Sequence, residues 1–243
     1  MRFPYIFMLY VFLAVNTVQA STTIGSTRVI YPGNEREITV PLRNPEKGAT
    51  LVQAWIDQGN INATPDDTAA PFLVMPPLVR INAGEGATLK IMFTQQNLLP
   101  QDRESVFWLN VLDIPPVLEG NETNYMQLAY RTRVKLFYRP QGVTGDSTQA
   151  IKKMVWTVLL NDKGKEVIKG CNKSDFYLSF NRLAVVVNLA HYTNDDGGMI
   201  APATCMSFPV TFLKKMTDSM AYVSAQWIDD YGSIQQYRGE LTR

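Results

Sequence analysis

NYMQLAYRTRVKLFYRP, residues 124–140, alternates apolar and polar side chains along most of its length. Met126, Leu128, Tyr130, Val134 and Leu136 share one parity, while Gln127, Arg131, Arg133 and Lys135 share the other. A period of two marks a strand with two unlike faces, because successive side chains of a pleated backbone point to opposite sides. The apolar half is long, the basic half is dense, and a proline ends the run, where the missing N–H breaks a ladder.

The segments around it read the same way. TRVIY stops at Pro32-Gly33-Asn34 and EITVPLRN at Asn44-Pro45; TLVQAWID precedes a polar loop at 59–71. FLVMPPLVRI and ATLKIMF flank a turn at 82–86, and SVFWLNVLDI ends at Pro115-Pro116. Short strands broken by Gly, Pro and Asn predict an antiparallel β-sandwich. No segment carries helical periodicity over three turns; residues 95–102 have room for one helical or 3₁₀ turn. QGVTGDSTQA, at 141–150, is polar and rich in small residues and reads as a linker. A second set follows it: VWTVLL and EVIKGC around the hairpin signal Asn161-Asp162-Lys163-Gly164, then FYLSF, LAVVVNLA, CMSFPVTFL, AYVSAQWI and IQQYRGEL. The expected fold is all-β, with one sandwich in 21–140 and another in 141–243.

A chain of 243 residues has room for two cores, and its formal net charge of +1 gives no field toward nucleic acid or an anionic membrane. Residues 1–20 have a charged start at Arg2, an apolar run from Tyr5 to Val15, and small residues at Val18 and Ala20. That pattern is a secretory signal, since the run falls short of the roughly 20 residues that cross a bilayer. A retained anchor is the alternative. Cys171 and Cys205, an even pair in an exported chain, favour a disulfide over two free thiols. It would close a loop of about 35 residues and contribute about 3–4 kcal/mol if chain entropy dominates.

Catalytic chemistry finds few candidates. The single histidine, His191, sits at a strand end, where a loop or surface role is commoner than general base. No G-x-S-x-G, H-E-x-x-H or Walker A pattern occurs. Asp195-Asp196 and Asp229-Asp230 beside glycines are turn chemistry before they are a cation site. One histidine and two distant cysteines do not make a zinc site. Neither enzyme, metal nor cofactor is expected.

LPQDRESVFWLNVLDIPP, residues 99–116, closely resembles the signature of the periplasmic pilus-assembly chaperones of the PapD-like, chaperone–usher family. Residues 135–140, KLFYRP, resemble the end of that family's last strand in domain one; Thr27-Arg28 resembles its first strand, and WIDDYG at 227–232 a turn in domain two. The resemblance implies two immunoglobulin-like β-sandwich domains in a boomerang arrangement with an interdomain cleft. It implies a donor strand in which Met126, Leu128 and Tyr130 fill the groove of a pilus subunit that lacks its final strand. Periodicity alone would instead face those three toward the protein's own core.

By the same resemblance Arg28 and Lys135 bind the subunit's C-terminal carboxylate, and Glu104, Arg139 and Asp230 form an interdomain charge network. Arg131 and Arg133 keep the reading that any strand cation has by itself, a solvated edge charge. The short loop at 117–125 and the absence of cysteine from the first domain resemble the short-loop branch. The implied role is a periplasmic chaperone that folds pilus or fimbrial subunits by donor-strand complementation and hands them to an outer-membrane usher, with neither nucleic acid nor membrane insertion. A homodimer that caps its own exposed strand stays open. A secreted two-domain immunoglobulin-like adhesin explains the sandwiches and the leader but gives no reason for pairing Arg28 with Lys135.

Overall fold

A computed structural model of the chain describes residues 21–67, 69–95, 99–116, 127–160, 166–187, 190–210 and 221–242. The first nine strands are β1 (Thr23–Ile24), β2 (Arg28–Pro32), β3 (Glu37–Arg43), β4 (Thr50–Asp57), β5 (Phe72–Met75), β6 (Leu78–Ile81), β7 (Gly86–Phe93), β8 (Ser105–Ile114) and β9 (Tyr130–Arg139). They form one sheet ordered β1-β3-β7-β5 and another ordered β2-β9-β8-β4-β6. β3 and β7 show why two sheets stack: in EITVPLR and GATLKIMF, Val40, Leu42, Leu89 and Ile91 face inward and their polar neighbours outward. The core between the sheets adds Val52, Ile56, Phe107, Leu109, Leu136 and Tyr138.

The second set is β10 (Met154–Leu160), β11 (Glu166–Asn172), β12 (Leu178–Val187), β13 (Ala190–Asn194), β14 (Gly198–Ile200), β15 (Cys205–Pro209), β16 (Ala221–Ile228) and β17 (Ile234–Thr242). Its main path runs β13-β12-β16-β17-β10-β11-β15, and a parallel contact between β17 and β10 joins its two halves around a separate core. Sharing that core with Trp227, Trp156 is 1% exposed. It lies against Gly170, where a Cβ would stand 2.5 Å from the ring, so glycine is required by close approach. β10 and β11 pair antiparallel from Met154↔Asn172 to Leu160↔Glu166, as the hairpin signal between them predicts. The turn residues 161–165 lie outside the described residues.

One expectation changes. The stretch at 141–150 is not a loose linker: Ser147–Ala150 forms a short helix, α1, capped by the Asp146 side chain accepting from the Gln149 amide at 2.8 Å. Ala150 and Ile151 are buried in the second core. Helical turns otherwise occur at Pro65–Asp67 and Ile151–Lys153, while part of the candidate turn at 95–102 lies outside the described residues.

Candidate functional site

β9 has two different edges. One pairs antiparallel with β8 from Asp113↔Tyr130 to Ser105↔Tyr138. On the other, β2 runs parallel and covers only Lys135 to Arg139, beginning with Arg28 opposite Lys135. Among the described residues, Tyr130 to Val134 thus have a ladder partner on one side only. Val134, Leu136 and Tyr138 point into the first core, whereas Leu128 and Tyr130, of the same parity, are each 54% exposed. Met126 lies outside the described residues. Two of the three expected donor side chains are therefore placed, and both stand in solvent.

Arg28 and Lys135 meet where β2 begins. Arg28 is 7% exposed, donates through Nη1 to the Ile228 carbonyl at 3.0 Å, and lies 5.4 Å from the Phe137 ring centre. Its Nε is buried without an acceptor. Lys135 Nζ reaches only Ser179 Oγ, at 3.4 Å. Among the described residues neither cation forms an ion pair. Burial pushes both below their ordinary pKa; for Lys135 the neighbouring Arg28 charge adds to this, while Asp230, Asp229 and Glu104 oppose it at Arg28. Two desolvated cations with an idle N–H can accept a carboxylate in charge-assisted hydrogen bonds.

Glu104, Arg139 and Asp230 come together at the domain junction. Arg139 Nε donates to Glu104 Oε1 at 2.9 Å and Nη2 to Asp230 Oδ2 at 3.0 Å, with the guanidinium 4.7 Å from the Phe176 ring centre. Glu104 also accepts from the Tyr177 amide, and its own amide donates to the Asp175 carbonyl. Burial holds the Glu104 carboxyl above its ordinary pKa, and Arg139 and the Tyr177 amide draw it back only in part. Asp229 organises the adjoining turn by accepting from the amides of Tyr231 and Ser233 and from Gln235. Gly232 sits in that turn at φ +83°, and a Cβ there would stand 2.1 Å from Thr27 Oγ1. The turn is thus pressed against the residue preceding Arg28.

Arg133 is not a solvated edge charge, and Arg131, although exposed, is tied down by hydrogen bonds. Asp57, its side chain 1% exposed, accepts from Arg133 Nη2 at 2.5 Å and Nε at 3.0 Å, from Asn110 Nδ2 at 2.7 Å and from the Gly59 amide at 2.6 Å. Burial alone would raise the Asp57 pKa, but these donors outweigh it and hold the group below its ordinary value. Arg131 Nε and Nη2 donate to Asn110 Oδ1, and its Nη1 to the Ile61 carbonyl at 2.8 Å. The two guanidiniums lie over Trp55 and Trp108, 4.9 and 4.7 Å from the ring centres. Two basic residues at i and i+2 on a strand and an Asp-x-Gly at a strand end were the visible signals, but nothing local pairs them.

Cys171 and Cys205 form a disulfide between directly opposed residues of β11 and β15. His191 is exposed on β13 and lines a shallow depression with Arg182 and Gln226. Among the described residues no helix is long and apolar enough to cross a membrane.

Two immunoglobulin-like sandwiches, a long strand paired on one edge for half its length, and a desolvated basic pair at the end of the open half define a two-domain strand-presenting protein. Residues 21–144 match the pili and flagellar-assembly chaperone family, PapD N-terminal domain, and residues 149–239 match the pili assembly chaperone PapD, C-terminal domain. The chain belongs to the pilus-assembly chaperone family, and the secreted adhesin is not favoured. It is 38% identical over 225 residues to the probable fimbrial chaperone YadV of Escherichia coli strain K12, covering 91% of this chain and 90% of that one. A crystal structure of YadV chaperone superposes with a TM-score of 0.78 at 35% identity, covering 91% of this chain and 100% of the other. The chaperone protein FimB/FhaD of Bordetella pertussis is 36% identical over 228 residues, 92% of this chain and 89% of that protein. A structure of Salmonella enterica SafA pilin in complex with the SafB chaperone matches with a TM-score of 0.72 and 27% identity, covering 93% of this chain and 99% of that one.

Proposed function

We propose that this chaperone captures pilus subunits by lending them the open half of β9 and gripping their C-terminal carboxylate with Arg28 and Lys135. One observation carries the reading: the half of β9 that lacks a partner on one edge leads to the buried Arg28 and the partly buried Lys135, which form no ion pair among the described residues. A guest strand laid beside Tyr130 to Val134 would occupy the lane that β2 leaves empty. To bring its carboxylate to the cation pair it must run parallel to β9, as β2 does. Leu128 and Tyr130 then enter the guest's groove from the face that carries the core residues further along. Burying each contributes about 1.5–3 kcal/mol, and the anchored carboxylate sets the register, since a slip of one residue turns every side chain to the wrong face.

On this reading residues 1–20 are a cleaved secretory signal that delivers the protein to the periplasm, and 21–140 and 141–243 are the two working domains. Subunits pass from it to an outer-membrane usher, and the free protein can shield its exposed strand by pairing with a second copy. Catalysis and cofactors have no part. Glu104, Arg139 and Asp230 hold the two domains in the orientation that brings Arg28 to Ile228.

Hydrogen exchange tests the geometry. Adding a subunit should protect those amides of residues 130–134 that face the open edge, leaving β16 and β17 unchanged. Protection elsewhere, with residues 130–134 still exchanging freely, would refute strand donation. A pH series tests the anchor. Only protonated Lys135 attracts a carboxylate, and its pKa is depressed. Subunit affinity should therefore fall as pH rises through that depressed value, below the range of an ordinary lysine, and Lys135→Arg should move the fall to higher pH. An unchanged titration in Lys135→Arg would remove Lys135 from the anchor.

A further inference from the structure

We propose that Asp57, two strands away from β9, is a positioning residue that holds the open half of the donor strand straight and in register before any subunit arrives. The inference rests on the donor-strand reading for its purpose, although its physical content belongs to the free protein. Beyond Lys135 toward its N-terminal end, β9 loses β2 as a neighbour, and Tyr130 and the preceding Leu128 are more than half exposed. A strand end with one ladder and solvent on one face frays readily. The opposite face of this end is where the structure concentrates its anchors. Arg133 is held by two hydrogen bonds to Asp57. Arg131 is held through Asn110, whose amide nitrogen donates to Asp57 and whose oxygen is thereby turned toward the Arg131 guanidinium. The third tether, from Arg131 to the Ile61 carbonyl, fixes the same strand to the loop after β4.

One buried carboxylate thus fixes both arginines, and Trp55 and Trp108 set the planes in which they lie. These contacts occupy only the face that points away from the guest's groove, so they can persist when a subunit binds. A strand ordered beforehand loses less conformational entropy on binding, and the saving appears as faster capture. The arrangement also neutralises part of the positive charge beside Lys135, whereas Arg28 and Lys135 themselves form no ion pair among the described residues.

The test uses the full mature chain, alone and with a pilus subunit. In Asp57→Asn, the amides of residues 130–134 should exchange about ten- to a hundredfold faster in the free protein, the factor that hydrogen bonds to charged groups carry. Amides of β12 and β16 should not change, and the subunit association rate should fall more than the dissociation rate rises. Arg131→Met, at a side chain only partly buried, should give the same local pattern if Asp57→Asn folds poorly. Unchanged exchange at 130–134 in both variants, or acceleration spread evenly over the first domain, would overturn the proposal. Arg28→Ala separates it from the functional reading: it should weaken capture about ten- to a hundredfold while leaving exchange at 130–134 as in the parent. If the parent captures no subunit, strand donation fails, and the exchange pattern still decides what Asp57 does.

Discussion

Lys135→Ala and Arg28→Ala should each release the pilus subunit while leaving a folded chaperone. In co-purification from periplasm the parent brings subunit with it and the variants do not. A charge-assisted hydrogen bond is worth about 1.5–3 kcal/mol, so each variant should weaken binding by roughly ten- to a hundredfold. The stability side of the result is unusual for a buried and a partly buried charge. Removing one member of an ion pair strands the other and destabilises strongly. Here, among the described residues, no pair exists to break: burial and the Arg28 charge both disfavour the charged form of Lys135, whose side chain has a single long contact, to Ser179. Lys135→Ala should therefore unfold at a midpoint equal to the parent's or slightly above it. Arg28→Ala should lose a little, because Nη1 no longer meets the Ile228 carbonyl and Phe137 is uncovered. Undiminished recovery of subunit from both variants would remove the carboxylate anchor. Lost recovery accompanied by unfolding would make it a structural effect.

That prediction rests on residues the alternating pattern could locate but not interpret. Strand content and the division into two sandwiches were legible, because inward and outward positions follow the period of two in β3, β7 and β9. The same period misjudges the end of β9. Tyr130 and Leu136 share a parity, yet Leu136 is fully buried and Tyr130 is 54% exposed. Parity tells which face a side chain is on, and where the facing sheet stops depends on the rest of the fold. Arg131 and Arg133 failed for a related reason. Their partner Asp57 is 76 positions from Arg133, and a local reading of strand charges defaults to solvent. The short helix at Ser147–Ala150 was readable: Asp146 precedes Gln149 by three, the spacing of a capping box, but the polar residues around it look like a linker.

Arg139→Ala should be the most damaging single substitution at the domain junction, with a cost of about 3–5 kcal/mol near neutral pH. Glu104 has 2% of its side chain exposed and Arg139 17%. Removing the guanidinium leaves a carboxylate buried between the domains with only the Tyr177 amide to solvate it, and frees Asp230 from its bridge to the first domain. Glu104→Gln should cost less, since its one carbonyl oxygen still accepts from Arg139 or from the Tyr177 amide, Arg139 keeps its bridge to Asp230, and no carboxylate is left stranded. The sign of the pH dependence separates this account from simple loss of packing. Burial already raises the Glu104 pKa, and Arg139 is the main force opposing that rise. Without it the folded pKa climbs further above the unfolded one. Between the two values the native state keeps a proton that the unfolded chain has released, so stability falls as pH rises through that window. The deficit of Arg139→Ala should thus be small near the ordinary carboxylate pKa of about 4, and reach its full size above the raised value. Urea unfolding at acid and neutral pH reads it, with Arg139→Ala/Glu104→Gln as the partner variant in which the slope disappears. An equal deficit at both pH values, or a double variant no better than Arg139→Ala alone, would show that the guanidinium acts by packing on Phe176 and not by balancing a buried charge.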